Sequence, residues 1–491
     1  MSSNARPTST APVELRWQIW LPWLALAGVL ISATRTDPDL WGHVRFGLDW
    51  LQTRDLPVQD QYSYTQDRPW VNHEWLSEAA MGAAYQLGGT SGLVMLKALD
   101  MGGAIAVIAR RMRGASPIVS AAVMTVAIVG ALPLSGTVRP QIWSALCLTL
   151  LVPLLTLEPP TPARGGAAVV LFAAWANLHG GWITGGGVLA LHVVIRIIRA
   201  PHQALAWLGL GAASLLATLC NPYGIGLWRF LATTVRPSRP DITEWRQFSV
   251  HEPAIMWVSI IGTLLALLLV VRRRETRPPI EITAVVLLLV TAGLRVSRVA
   301  PLMCPAAIAL LAPWIRAALG NAGRLTAPTS AAAAVLLVPA AIAVAAARTP
   351  VSQPMNCLAI KDVWMPDLAA AAQLKGLSGN LWTTFVWGEY ALWHFGPALR
   401  VSIDGRRETV YSDTLIDLHR AAEYGDAQAL ERIAAFGTDY VWLPSTRGAA
   451  RAWLEEHGYR VELSTDASFI AARATLPRIG GGKPPLAACF P

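Results

Sequence analysis

WQIWLPWLALAGVLISATRTDPDLWGHVRFGLDWL, residues 17–51, changes character at its midpoint, and that change decides the fold. The first half, 17–34, carries no charge and approaches the ~20 apolar residues needed to span a hydrocarbon core. It is longer than a signal-peptide core and no clean small-x-small site follows, so it reads as a retained helix. The second half opens on Asp37-Pro38-Asp39, then repeats Leu40, Val44, Leu48 and Leu51 at helical spacing. That is the pattern of an amphipathic helix lying along a membrane interface.

Comparable apolar runs recur along the chain. With 17–34 they give eleven expected spans, the others being 90–109, 116–135, 141–158, 165–179, 181–198, 203–220, 254–272, 279–296, 299–316 and 328–348. Of the 491 residues 54% are hydrophobic and 14% charged, and mean hydropathy is +0.42. Soluble domains carry about 25% charged residues. The expected fold class is therefore a polytopic α-helical membrane protein.

The net charge of +9 comes almost wholly from arginine, because there are only four lysines. The arginines are scattered at helix ends and form no single patch, which argues against a nucleic-acid partner. With the N-terminus inside, fourteen fall on cytoplasmic segments and seven on short outer ones. This bias predicts a multi-pass protein of the inner (plasma) membrane, with a cytoplasmic N-terminal tail at 1–16 and a periplasmic C-terminus.

Two outer regions are then large. Loop 35–89 carries a second amphipathic pattern, Trp75, Ala79, Ala83 and Leu87, after a turn-rich aromatic stretch. In the tail, 349–491, segments 380–386, 399–404, 438–443, 459–464 and 467–473 read as strands, and 413–435 and 446–457 as helices, a small α/β layer. No glycine-rich phosphate loop accompanies them. Cys147, Cys220 and Cys304 read as packing residues in or at the ends of spans. Cys357 and Cys489 bracket the tail, as a disulfide or as two free thiols.

Ionisable residues near membrane depth are expensive and default to functional candidates. Asp37, Asp39 and His43 suit general-base work or a divalent cation. Asp37 before Pro38 is equally what a helix cap looks like. His73 and Glu74 start the second amphipathic helix, where the helix dipole alone favours the carboxylate. Asn177 and His179 (WANLHGGW), Glu244 and Trp245, and the arginines Arg139 (VRPQIWS), Arg295 and Arg298 (GLRVSR) fall on the same outer face. Arginine forks suit phosphate oxygens, although at helix ends they also snorkel to headgroups. In the tail, Asp404, Arg406, Arg407 and Glu408 (IDGRRETVY) form either a functional loop or a local salt-bridged turn. Carboxylates, histidines and arginines on one face point to a phosphorylated lipid substrate.

The plan of first span, long outer loop with two interfacial helices, early acidic motif, further spans and outer C-terminal domain resembles the GT-C superfamily of membrane glycosyltransferases, over roughly 17–348. DPDLWGH, WVNHEWLSE, VRPQIWS, WANLHGG and IDGRRETVY also resemble a widespread set of bacterial membrane proteins. The resemblance implies a sugar transferred from a polyprenyl-phosphate donor to a glycan, lipid or protein acceptor of the cell envelope. It implies that Asp37 or Asp39 deprotonates the acceptor or orders a cation, Mg or Mn, with Asp39 and Glu74 as the nearest ligands. Arg295, Arg298 and Arg139 would hold the donor phosphate. The family's second acidic pair has only Glu74 and Glu244 as counterparts, neither of them in a pair. A polymerase or ligase of lipid-linked glycans, or a non-catalytic envelope assembly protein, remains as an alternative. A transporter would show repeats and midplane polar residues, and little of either is present.

Overall fold

The computed structural model describes residues 34–156, 161–234, 245–319 and 357–491. The expected spans 17–34 (but for its last residue) and 328–348, the N-terminal tail and Glu244 lie outside them. Each of the other nine expected spans falls on a helix. These are α2 (Trp75–Arg111), α3 (Pro117–Ser135), α4 (Gln141–Leu155), α5 (Pro162–Leu178), α6 (Trp182–Arg199), α7 (Ala204–Ala217), α9 (Ala254–Arg272), α10 (Ile280–Arg295) and α11 (Ala300–Leu319). α1 (Leu40–Thr53) precedes them and the short α8 (Ile225–Thr234) follows α7. Among the described residues α2, α6, α9 and the 297–319 helix are long and apolar enough to cross a bilayer, and α3 and α4 are shorter apolar helices. The chain is a multi-pass membrane protein.

α11 is the bundle's axis. Its residues are buried almost throughout, and Ala306, Ala307, Ala309 and Ala312 are small enough for neighbouring helices to approach closely. Cys147 and Cys304 are buried in this packing, but Cys220 is exposed, against expectation. At one end of the bundle Glu281, opening α10, takes Arg196 at 3.0 Å and Arg199 at 2.9 Å from the end of α6. The opposite ends of these two helices border the cavity described below.

The second amphipathic helix is not separate from the span after it. Residues 75–87 and 90–109 form the single helix α2, bent at Gly88 and at Gly89, whose φ of 56° and ψ of −143° only glycine adopts without strain. α1 packs backbone to backbone against α2, for a Cβ on Gly47 would come within 1.9 Å of the Glu78 carbonyl.

The tail folds as a five-stranded sheet in the order β3-β2-β4-β6-β5, from β2 (Gly379–Thr383), β3 (Leu399–Val401), β4 (Tyr440–Pro444), β5 (Tyr459–Ser464) and β6 (Ser468–Arg473). β3, β2 and β4 run parallel; β6 is antiparallel to β4 and β5. Helices α12 (Leu368–Leu374), α13 (Phe385–Phe395), α14 (Asp413–Glu423), α15 (Ala427–Ala435) and α16 (Gly448–Glu456) pack around it. All five expected strands are present, but the first ends at Thr383. Phe385 onward turns its apolar residues, Tyr390, Ala391 and Phe395 among them, into the core at helical spacing. The expected helix 413–435 is two helices, the second capped by Asp426, which accepts the Ala429 N–H at 2.9 Å. Cys357 and Cys489 form a disulfide beside the small pair β1 (Leu358–Ala359) and β7 (Cys489–Phe490).

Loop 35–89, grouped by sequence with the bundle, shares its core with 357–491. Thr36 N–H donates to the Ala359 carbonyl at 2.9 Å, and Tyr64 N–H to that of Val401 at 3.1 Å. Trp41 of α1 packs on Tyr390 and Phe490, with ring centroids 5.0 and 4.6 Å apart. The division expected at 348/349 therefore does not separate two cores. Leu40, Trp41, Phe46, Tyr62 and Trp70 belong to the core of the tail, and a second core fills the bundle.

Candidate functional site

Where the loop and the tail meet the bundle they leave a half-open cavity of about 1150 Å³. Its bundle side is made of helix ends from a single face, with Arg139 before α4, His179 after α5, Arg295 closing α10 and Leu302 opening α11. The outer-face residues read from the sequence are thus largely brought together. Asp39, His43, His73, Glu74, Arg139, His179, Trp245, Arg295 and Arg298 all line this one space.

Asp37 is buried beneath it. Its Oδ1 accepts the N–H groups of Asp39 at 3.1 Å and Leu40 at 3.0 Å, and its Oδ2 accepts from Arg139 Nε. Both oxygens are engaged, so Asp37 caps the start of α1 and anchors Arg139. Asp39 stands higher, its carboxylate partly exposed and 3.2 Å from Arg139 Nη2. Held by two carboxylates, Arg139 orients Asp39 and is poorly placed to serve a donor phosphate, the role expected of it.

Asp39 has a neighbour that local sequence does not reveal. Glu389 of α13 is buried, accepts the Gly42 N–H at 3.0 Å and faces Asp39 across Gly405. A Cβ on Gly405 would lie 2.7 Å from Asp39 Oδ1 and 2.5 Å from Glu389 Oε1 at once. Burial first, then the charges of Asp39 and Asp404, push the Glu389 carboxyl well above the usual range. The tail thus gives Asp39 an acidic neighbour that the sequence did not suggest; Glu74 belongs to the histidine network below, and Glu244 lies outside the described residues.

Two histidine networks flank this pair. His43 Nδ1 lies 3.1 Å from Glu78 Oε1, and Glu78 Oε2 accepts from Asn72 Nδ2 at 2.6 Å. Burial opposes a charge on His43, but Glu78, with Glu74 and Asp39 beyond, raises it to about 9. The second network centres on Glu74, whose Oε1 is 3.5 Å from both His73 Nε2 and His179 Nε2. His179 Nδ1 accepts the Gly181 N–H at 3.0 Å and lies 2.6 Å from Ser144 Oγ, which itself accepts from Trp175 Nε1. With Nδ1 so occupied, neutral His179 carries its proton on Nε2, toward Glu74. Burial disfavours the Glu74 charge, yet His73 and then His179 outweigh it and hold the carboxyl below the usual range.

Asn177 does not line the cavity. Its Nδ2 donates to the Ala173 and Cys220 carbonyls, each at 2.8 Å, and its Oδ1 accepts from Trp75 Nε1 at 2.8 Å. It pins α2 to the bundle. Arg298 stacks on Trp245 at 5.0 Å, and no carboxylate pairs with Arg295 among the described residues. In the tail motif, Arg406 is committed to structure while Arg407 and Glu408 reach the cavity. Glu78, Asp60 and Glu389 were not singled out from the sequence. Glu78 was findable, lying one helical turn beyond Glu74.

The donor set of the described residues does not fit a divalent cation. Among the described residues no group of three or more His, Cys, Asp or Glu is placed to hold a metal, and Asp39 already faces a guanidinium.

A membrane bundle closed over by an α/β domain, with carboxylates and arginines between them, is a fold that the chain shares with two solved structures. It is similar to ArnT from Cupriavidus metallidurans bound to undecaprenyl phosphate, with a TM-score of 0.55 and 12% identity, covering 96% of this chain and 100% of that one. It is also similar to the arabinofuranosyltransferase AftD from Mycobacteria, with a TM-score of 0.53 and 16% identity over 97% of this chain. The chain spans only 41% of AftD. No family sequence model and no curated protein matches it.

Proposed function

We propose that this protein is a glycosyltransferase that moves a sugar from a polyprenyl-phosphate donor to a cell-envelope acceptor at the periplasmic face of the membrane. One observation carries the reading. A single cavity at the bundle end holds the partly exposed carboxylate of Asp39 together with Arg295, which has no carboxylate partner among the described residues. The fold likeness to AftD and to lipid-bound ArnT supports it.

In this mechanism the acceptor hydroxyl attacks the anomeric carbon as the bond from that carbon to the phosphate oxygen breaks. The hydroxyl proton passes to Asp39, and the bonding electron pair leaves on the polyprenyl phosphate. Arg295 and Arg298 stabilise the charge arriving on the departing phosphate, where fixed guanidinium donors contribute most. Arg139 holds Asp39 in place. No step is routed through a metal.

The test uses the full chain in lipid nanodiscs with undecaprenyl phosphate and a radiolabelled polyprenyl-phosphate sugar. Asp39→Asn is expected to lower transfer at least a hundredfold and leave undecaprenyl phosphate binding intact, while Arg295→Gln weakens that binding. Wild-type transfer by Asp39→Asn overturns the assignment of the base. Unchanged lipid binding by both Arg295→Gln and Arg298→Gln overturns the donor site.

A further inference from the structure

The cavity has a second wall, contributed by the tail, that the donor chemistry does not use. Helix α14 presents Ile416, His419, Arg420 and Glu423 to it at positions i, i+3, i+4 and i+7, a complete helix face turned to the cavity. Such a face normally packs against another element or meets bulk water. Here Ile416 and His419 pack into the core, and Arg420 and Glu423 border the half-open cavity.

Two guanidiniums stand at its ends. Arg447 lies over the Tyr424 ring at 4.3 Å and 3.5 Å from Glu423; Arg407 lies over Phe385 at 5.6 Å and 3.5 Å from Glu408. In both pairs the contact runs through the arginine Nε, at a distance long for a charge-assisted hydrogen bond. Arg407 also has a φ of 46°, left-handed backbone in a residue other than glycine, and strain of this sort persists where the surroundings fix a side chain for a task. Tyr424 is 68% exposed beside the stacked Arg447.

We propose that this wall is the acceptor subsite and that the acceptor is a carbohydrate, a sugar ring lying on Tyr424 with its hydroxyls between Arg447–Glu423 and Arg407–Glu408. The chemistry matches piece by piece. An exposed aromatic face suits the apolar C–H side of a sugar ring. Paired arginine and carboxylate groups supply donors and acceptors at fixed spacing for neighbouring hydroxyls. An acyl chain would strip water from those ion pairs and offer them no hydrogen bonds, and a polypeptide acceptor would call for an extended groove or a free strand edge. Donor arginines, sugar wall and Asp39 line one cavity, as transfer from donor to acceptor requires.

The inference rests on the glycosyltransferase reading, and its experiment separates the two. The full-length protein in nanodiscs is applied to an array of bacterial envelope oligosaccharides. A bound member is then titrated calorimetrically against wild type, Tyr424→Ala, Arg447→Gln and Arg295→Gln, with polyprenyl-phosphate binding measured in parallel to confirm the fold. Tyr424→Ala and Arg447→Gln are each expected to weaken the oligosaccharide at least tenfold and keep the lipid, whereas Arg295→Gln does the reverse. Oligosaccharide affinities within twofold of wild type in both tail variants, or no array member bound, overturn the subsite. Oligosaccharide binding that depends on Tyr424 and Arg447 without any sugar transfer keeps the subsite and overturns the enzyme.

Discussion

Arg406 and Asp60, 346 positions apart in the chain, meet as a two-pronged ion pair, Nη1 to Oδ1 at 2.6 Å and Nη2 to Oδ2 at 2.8 Å. The same guanidinium takes Asp404 on its other edge, at 2.9 and 2.7 Å, and sits among the rings of Phe46, Tyr62 and Trp70 at about 5 Å. It is the rivet between the first loop and the tail. Asp60→Asn leaves Arg406 paired with Asp404 but breaks the two-pronged contact between loop and tail, replacing a charged acceptor by an amide, and is expected to cost ~2 kcal/mol. Thermal unfolding in detergent, followed by tryptophan fluorescence, should show a midpoint several degrees lower, with the tail newly open to protease. An unchanged midpoint would mean that the pair does not hold the two segments together.

Gly42 governs how closely the tail approaches Asp39. A Cβ there would stand 2.4 Å from the Glu389 carboxyl carbon, so Gly42→Ala must push α13 and the carboxylate away. Sugar transfer in nanodiscs is expected to fall at least tenfold, while the membrane bundle and its content of protein in the membrane stay near wild type. Glu389→Gln keeps an oxygen for the Gly42 N–H and should be milder. If Gly42→Ala transfers as fast as wild type, close docking of the tail on α1 is not required.

The sequence made the helices and strands readable because both rest on local pattern: nine of the expected spans fall on helices, four of these long and apolar enough to cross a bilayer, and the five expected strands are present. Residues 380–386 misled because a short apolar run fits a strand or a buried helix equally well. The candidate residues of one face were legible through topology, since alternating spans place Arg139, His179 and Arg295 at the same end. What escaped was pairing over distance. Glu389 and Asp60 sit in unremarkable local sequence, and only the packing of loop against tail gives them partners. Asn177 failed for the opposite reason, being a polar residue in a suggestive motif whose amide is fully spent on backbone and Trp75.

The bond between Cys357 and Cys489 spans 132 residues and fastens the two ends of the tail. On the chain-entropy account, a loop of that size stabilises by about 5 kcal/mol through restriction of the unfolded chain. Reduction with excess thiol, or the pair Cys357→Ser and Cys489→Ser, is expected to lower the unfolding midpoint of the full-length protein. Reductant should then have no further effect on the double variant. Equal midpoints for oxidised and reduced wild type would show that the bond contributes nothing to stability.

His43 and Glu78 make a stability contribution with a defined pH window. Folding raises the His43 pKa from 6.5 to about 9: burial opposes the proton, but the hydrogen bond and charge of Glu78, with the charges of Glu74 and Asp39, together outweigh it. A raised histidine binds its proton more tightly in the folded state, so the contribution is complete below about pH 6.5 and disappears as pH climbs through 9. A shift of this size corresponds to a contribution on the order of 3 kcal/mol. His43→Gln keeps a hydrogen-bonding group beside Glu78 but has no proton to lose. Unfolding midpoints measured from pH 6 to pH 9.5 should therefore separate wild type from His43→Gln most at the acid end and bring them together at the alkaline end. A gap that stays constant over this range would show that His43 does not carry a proton in the folded protein, and that the short contact to Glu78 is a neutral hydrogen bond.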